Sequence, residues 1–282
     1  MTHLITGATG NVGSLVVERL LARGQRPRLF VRDAGKARAR FGDRVDVAVG
    51  DLADATTLAP ALAGIEGLLL INSGPDLASH DEAAAKKAKA AGVRRLVKLS
   101  TYDVRERIGT GAWHAVGETA IRASGVPFAF VQPSGFMSNA LYWAAAIRAE
   151  GIVRSSTGDG RIPFIHPADI ADVVVEALTT TKYVSESLPI TGPEALSYAE
   201  MTAKIGKAIG RQLGYQTISN EQARQQQAKW DASQAMAEAR LQIFSAIRDG
   251  GLAEVTGEVE RILGRRPISF DRWVAENAQA FR

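Results

Sequence analysis

The 282-residue chain contains no cysteine, which excludes disulfides, thiolate metal sites and a cysteine nucleophile. Histidine is scarce: the four present are His3, His80, His114 and His166, none at metal-ligand spacing from another, so no metal is expected. A Gly-x-Ser-x-Gly elbow is missing, which disfavours a serine hydrolase. No apolar run approaches the ~18 residues of a membrane span. Aromatic residues make up only 6% of the chain. The 34 basic and 30 acidic residues leave a net charge of +4 with no long basic block, so neither nucleic acid nor a membrane is an expected partner. The first strand pattern starts within the opening residues, so no cleaved signal peptide is expected and the cytoplasm is the expected location.

What is present is more specific. The run Gly7-Ala8-Thr9-Gly10-Asn11-Val12-Gly13 directly follows the apolar stretch His3-Leu4-Ile5-Thr6. A strand turning sharply into a helix needs glycine at the turn. The missing side chains also let a diphosphate approach the backbone, where free amides and the helix dipole favour negative charge. Gly7, Thr9, Gly10, Asn11 and Val12 are therefore candidate cofactor contacts. The spacing, Gly-x-x-Gly-x-x-Gly, is one residue wider than the usual dinucleotide fingerprint.

Short apolar runs alternate with helical patterns through the first half, predicting an α/β fold with a doubly wound, Rossmann-type parallel sheet. Strands are expected at about 3–6, 28–32, 45–49, 67–72, 95–100 and 127–132, with helices near 12–23, 54–63, 80–91 and 113–124. Gly151 to Pro163 reads as a hairpin or loop, Pro167-Ala168-Asp169 as the cap of a helix reaching about Thr180, and 188–191 as a last strand. Beyond Ser197 the pattern is helical, at about 197–210, 220–249, 255–263 and 269–280. Ser197-x-x-Glu200 and Ser219-x-x-Gln222 both have capping-box spacing. The Gln- and Ala-rich stretch Glu221–Ala239 suits a loosely packed lid or an interface. The expected organisation is a dinucleotide-binding domain over 1–133 and about 164–192. A smaller, mostly helical substrate domain would comprise 134–163 and 193–282.

Dinucleotide choice is usually decided at the end of the second strand, where an acid accepts from a ribose 2′-hydroxyl and arginine accommodates a 2′-phosphate. Here the strand ends in Arg32-Asp33, with Lys36 following. Arg32 and Lys36 favour NADP(H) over NAD(H), although Asp33 could serve the hydroxyl instead. Asp51-Leu52 is placed to border an adenine, Asn72-Ser73-Gly74 the ribose and diphosphate, and Pro133 the far end of the cofactor. Turn chemistry would explain the first two groups equally well.

Gly7 to Gly13, Arg32 and the Gly50-Asp51-Leu52 turn together resemble the atypical short-chain dehydrogenase/reductases, in particular the NmrA-like group. The stretch Ser124-Gly125-Val126-Pro127 to Gln132-Pro133-Ser134-Gly135-Phe136, the segment His166-Pro167-Ala168-Asp169 and the C-terminal Gly264-Arg265-Arg266-Pro267 extend the likeness over nearly the whole chain. The resemblance implies NAD(P)H binding, in a group that mixes reductases of quinones and dyes with cofactor-sensing regulators. One departure matters. The superfamily's proton-donating Tyr-x-x-x-Lys is missing, because none of the five tyrosines has lysine four residues on. On the corresponding helix stand His114 and Glu118, which share one face. His114 could donate a proton or be an ordinary helix histidine. The group's Arg before Pro is Gln132 here.

Ser100 and Thr101 close the fifth strand, where the superfamily places the hydroxyl that meets a substrate carbonyl. Lys98, inside that strand, reads as structural. Tyr102, Phe136, Met137, Tyr142 and Trp143 could wall a flat aromatic substrate or simply be core, and His166 could add to that wall or to local structure. The expectation is an NADPH-dependent oxidoreductase of a small quinone or conjugated aromatic carbonyl, with polyketide tailoring and monooxygenation as variants. The alternative is a non-catalytic NADP(H)-sensing regulator; an isomerase or lyase of the same fold is not singled out. The sequence leaves the oligomeric state open, with a homodimer as one option.

Overall fold

In the computed structural model, residues 2–227 and 233–282 are described. The chain opens with β1 (His3–Thr6), α1 (Asn11–Ala22), β2 (Arg28–Val31), α2 (Ala34–Phe41), β3 (Asp46–Val49), α3 (Ala55–Ala61) and β4 (Gly67–Leu70). It continues through α4 (Leu77–Ala90), β5 (Arg95–Leu99), α5 (Thr110–Ser124), β6 (Phe128–Pro133), α6 (Ala144–Glu150), β7 (Ile152–Ser155) and β8 (Arg161–Ile162). Then follow α7 (Pro167–Thr179), β9 (Ser187–Ile190), β10 (Leu196–Ser197), α8 (Tyr198–Ile209) and β11 (Gly214–Thr217). The last described helices are α9 (Asn220–Gln227), α10 (Gln234–Arg248), α11 (Glu258–Leu263) and α12 (Phe270–Asn277).

Seven strands form one parallel sheet in the order β3-β2-β1-β4-β5-β6-β9. Such a sheet buries both faces, and β4 and β5 are accordingly buried at every position. On one face α1 and α7 pack with Val16, Val17, Leu20, Val173 and Val174 wholly enclosed. On the other, α3, α4 and α5 cover Leu68, Leu70, Leu96 and Phe130. Strand order reverses between β1 and β4, and open α/β sheets bind ligands at the carboxyl end of that switch point. A second apolar cluster joins Met137, Ile147, Phe164, Met201, Phe270 and Trp273, which come from the segment after β6 and from the C-terminal helices.

Three sequence expectations change. Helix α2 was not anticipated: only Ala37 and Phe41 of its eight residues point inward, too few for a visible apolar period. The stretch 151–163 is no hairpin. Its two strands pair elsewhere, β7 with β11 in parallel and β8 with β10 antiparallel, and such distant partners leave no local signal. The cap of α7 is His166, whose Nδ1 accepts the Ala168 amide at 3.0 Å, rather than the Pro167-Ala168-Asp169 triplet. Of the long helix expected over 220–249, the described parts are α9 and α10; residues 228–232 lie outside the described residues. Both capping boxes form, with reciprocal bonds at Ser197/Glu200 and Ser219/Gln222.

The turn from β1 into α1 depends on two glycines. Gly7 adopts φ +60°, and a Cβ on Gly13 would lie 2.2 Å from the Gly7 carbonyl oxygen. That contact is backbone on backbone and has no side chain that could yield. Gly13→Ala is expected to cost about 2 kcal/mol or more of stability, measured by urea unfolding. A variant as stable as the parent would contradict the close approach.

Candidate functional site

The site begins where β1 ends. The Gly10 amide donates to the Gly7 carbonyl at 3.0 Å, which closes the turn and aims α1 back across the sheet edge. No side chain caps α1, and its first turn holds no acid. Its leading amides and positive dipole end are thus left for an anion. Gly7, Thr9, Gly10 and Asn11 are exposed, whereas the Val12 side chain belongs to the core, so only its backbone can face a ligand. A Cβ on Gly7 would come within 2.9 Å of Ile71, and one on Gly10 within 3.2 Å of the Gly7 oxygen. The cradle is shaped for close backbone contact, and it fits a dinucleotide diphosphate. Asn11 Nδ2 also donates to Ser138 Oγ at 2.5 Å, tying the cradle to the segment after β6.

Along the rim, Arg32 is exposed beyond β2, and no carboxylate pairs with it among the described residues. Asp33 is occupied: it caps α2 by accepting the Lys36 amide at 3.2 Å, with Lys36 Nζ 4.0 Å from its other oxygen. Asp51 accepts the Ala53 amide at 3.1 Å beside the half-buried Leu52. Ser73 is exposed, and Gly74 turns the chain at φ +104°. Pro133 is buried at the end of β6, level with Ile190 of β9. The Asn72 side chain departs from expectation. It points inward, donating to Asp81 Oδ1 at 2.9 Å and accepting from Lys98 Nζ at 3.3 Å, so it has no reach toward a ribose.

Beneath the rim lies a layer of buried charge. Lys98 Nζ is 2.6 Å from Asp81 Oδ2, and both side chains have no exposure. Burial pushes the lysine down and the aspartate up, and each charge opposes the other's shift. Helix α5 crosses this pair at Gly117, where a Cβ would sit 2.2 Å from Asp81 Oδ2. One turn earlier, His114 is buried with its Nδ1 unpartnered. Burial, with the Lys98 charge adding to it, holds the imidazole well below its usual range. That favours the neutral ring, which fits the ordinary helix histidine of the two sequence readings better than the proton donor. One turn later, Glu118 Oε1 accepts from Ser100 Oγ at 2.6 Å and from Gln132 Nε2 at 2.8 Å. Burial raises this carboxyl, partly offset by those two donors. Beside it, the half-buried Thr101 contacts Asp103 Oδ2 at 3.5 Å, and burial pushes the Asp103 carboxyl up to about 6.

Comparison with known proteins puts this geometry in context. Residues 7–181 match the family model described as NAD(P)H-binding. The chain belongs to that NAD(P)H-binding family. It is 38% identical over 282 residues to a (4-alkanoyl-5-oxo-2,5-dihydrofuran-3-yl)methyl phosphate reductase of Streptomyces griseus, covering 99% of this chain and 98% of the relative. It is 34% identical, with the same coverage, to an NAD(P)H azoreductase of Xenophilus azovorans. Its fold is that of the NADPH-dependent quinone oxidoreductase of Escherichia coli solved with NADPH. That match has a TM-score of 0.89 at 24% identity and covers 98% of this chain and 99% of that one. The family match agrees with the NAD(P)H binding that the sequence resemblance implied.

Within this NAD(P)H-binding chain, the expected substrate wall is only partly present. Phe136 is half-buried against the sheet core, and Trp143 packs on Tyr198 with ring centroids 4.8 Å apart. Tyr142 is 58% exposed, with Arg240 over its ring. Met137 is fully enclosed in the second core and offers no surface to a substrate. The Tyr102 hydroxyl bonds Glu254 and, at 2.8 Å, Arg105, and burial first among several causes pushes the phenol up to about 12. His166 is committed to capping α7 and to Glu276, 3.2 Å from its Nε2, which gives it a structural role. Asp81 and Asp103 were not anticipated, because only the packing of α4 and α5 on β5 shows what they face.

The Lys98–Asp81 pair generates a stability test. Asp81→Ala leaves an ammonium buried without its counter-charge, with an expected loss of roughly 3–5 kcal/mol in chemical unfolding. Joint replacement by Lys98→Met and Asp81→Leu should restore most of it. A single variant within about 1 kcal/mol of the parent would show that the pair is not desolvated as described.

Proposed function

We propose that this chain is an NADPH-dependent reductase of a quinone or other conjugated aromatic carbonyl. The observation that carries the reading is the glycine cradle at the uncapped start of α1, combined with an Arg32 guanidinium at the end of β2 that pairs with no carboxylate among the described residues. A bound reduced nicotinamide dinucleotide would supply a hydride from C4 of its ring. The amides following Gly7 hold the diphosphate, and the Arg32 fork, with the Lys36 ammonium nearby, meets the 2′-phosphate. Asp33 Oδ1 is engaged as a helix cap, so part of its acceptor capacity is spent on α2 rather than on a ribose hydroxyl. In this reading, residues 1–133 and about 164–192 hold the dinucleotide while 134–163 and 193–282 cover the acceptor.

Acceptor chemistry follows from what the site lacks. With no Tyr-x-x-x-Lys and with His114 neutral, the site favours acceptors whose reduced form is stabilised by resonance. A phenolate or another extended anion needs little protonation while it forms, so placing the ring against the nicotinamide does most of the work. An azo compound and an alkanoyl-dihydrofuranone, the acceptors named for the two relatives, are both conjugated systems. A tailoring reductase of polyketide quinones, or one whose product goes on to react with oxygen, fits the same frame. The missing tyrosine also favours a second reading, a sensor that binds NADP(H) without turnover. Steady NADPH oxidation with a panel of quinones and azo compounds is the expected result. Tight binding with no turnover on any acceptor would replace the reductase by the sensor.

For the cofactor, Arg32→Ala should weaken NADPH binding roughly tenfold or more while leaving NADH nearly unaffected. Calorimetric titration with both dinucleotides measures it. Equal losses for the two would remove the 2′-phosphate from the role of Arg32.

A further inference from the structure

We propose that Glu118 is the proton reservoir of the site and that Ser100 passes its proton to the substrate oxygen. The inference rests on the reductase reading and supplies the acid that the sequence lacks.

Three geometric facts support it. The Ser100 hydroxyl, at the carboxyl end of β5, is 2.6 Å from Glu118 Oε1. A hydroxyl has one proton, so while Glu118 is ionised that proton is spent on the carboxylate and is unavailable to a substrate. Once Glu118 is protonated the bond reverses, and the proton of the buried Ser100 is no longer held by the carboxylate. Secondly, the other partners of Glu118 leave it able to take up a proton. Gln132 donates a neutral amide at 2.8 Å, and the guanidinium of the half-exposed Arg122 stands back at 3.9 Å from Oε2. Thirdly, Glu118 has a second outlet. It lines a groove of about 800 Å³ bounded by α5, by the ends of β6 and β9, and by residues 254–258, through which water can recharge it.

The charged and titratable groups around Glu118 are Lys98 from β5, His114 and Arg122 from α5, Arg105 and Arg107 after β5, and Glu254 and Glu258 across the groove. Lys98 and Arg122 favour the carboxylate, while desolvation favours the acid and is the larger influence.

The step balances. As the substrate carbon accepts hydride from a reduced nicotinamide dinucleotide, the carbonyl π pair moves onto oxygen. That oxygen takes the Ser100 proton, and Ser100 Oγ takes the proton of Glu118. Glu118 is left as a carboxylate, which water in the groove reprotonates.

Two measurements on the whole protein decide it. Carbon-13 NMR of glutamate-labelled protein, with the Glu118 signal assigned by its disappearance in Glu118→Gln, follows the carboxyl directly and needs no substrate. The expected result is a proton retained above the ordinary glutamate value of about pH 4.3. A signal fully ionised by about pH 5 would overturn the relay. The second measurement compares a conjugated ketone, whose product oxyanion needs a proton, with 1,4-naphthoquinone, whose product does not. Glu118→Gln should lower ketone reduction roughly 100-fold and quinone reduction far less, with NADPH affinity retained. The parent's ketone rate should also fall as pH rises through the Glu118 titration, a limb that the variant lacks. Equal losses on both acceptors, or an unchanged pH profile, would make Glu118 merely structural. A parent inactive with both acceptors would instead overturn the reductase reading, and the relay with it.

Discussion

The approach of α1 to the end of β1 is the constraint on which the rest depends. With the Gly13 α-carbon against the Gly7 carbonyl, the helix starts immediately behind the strand and presents its bare amides over the sheet edge. Any side chain at that contact would push the helix out and misplace its dipole end. The same helix packs on α7, so the geometry of the cradle is transmitted into the larger of the two core clusters beside the sheet. Function and stability therefore share one backbone contact.

The sheet's other face carries the electrostatics. Aliphatic packing by α3, α4 and α5 excludes water from β4 and β5, and the polar groups caught there have to satisfy one another. Asn72, Asp81 and Lys98 do so in one group, while Ser100, Glu118 and Gln132 do so in the next. Low dielectric makes each of these ionisations depend on its neighbours, which is why His114 is held neutral and Glu118 is drawn toward its acid form. The two groups meet along α5, with Gly117 giving the clearance that brings the helix down onto the aspartate.

The second core supplies the cover. Phe164, Tyr198 and Trp143 associate through their rings, and Met137 anchors the segment after β6 beneath them. Tyr102 joins this cluster through its ring, while Glu254 and Arg105 outside it engage the hydroxyl. Residues that read alike in the chain are thereby sorted: Phe136 and Trp143 keep some surface, Tyr142 is mostly solvent-facing, and Met137 is filler.

What the sequence determined by itself was whatever has a local cause. Glycine spacing after an apolar strand, continuous apolar runs, and Ser-to-Glu or Ser-to-Gln cap spacing each act within a few residues, so the cradle, the six first strands and the capping boxes were legible. Arg32 was legible as the end of a strand. Tertiary structure decided everything that depends on a partner far along the chain. The small sheets pair β7 with β11 and β8 with β10; Asp33 turns out to cap α2, which carries too few inward residues to announce itself; and Asn72 turns away from the rim because Asp81 and Lys98 lie behind it. The protonation of His114 and Glu118 belongs to that second class. A side chain's charge is set by how much water the fold removes from it and by which groups the fold brings near, and neither quantity is written at its own position.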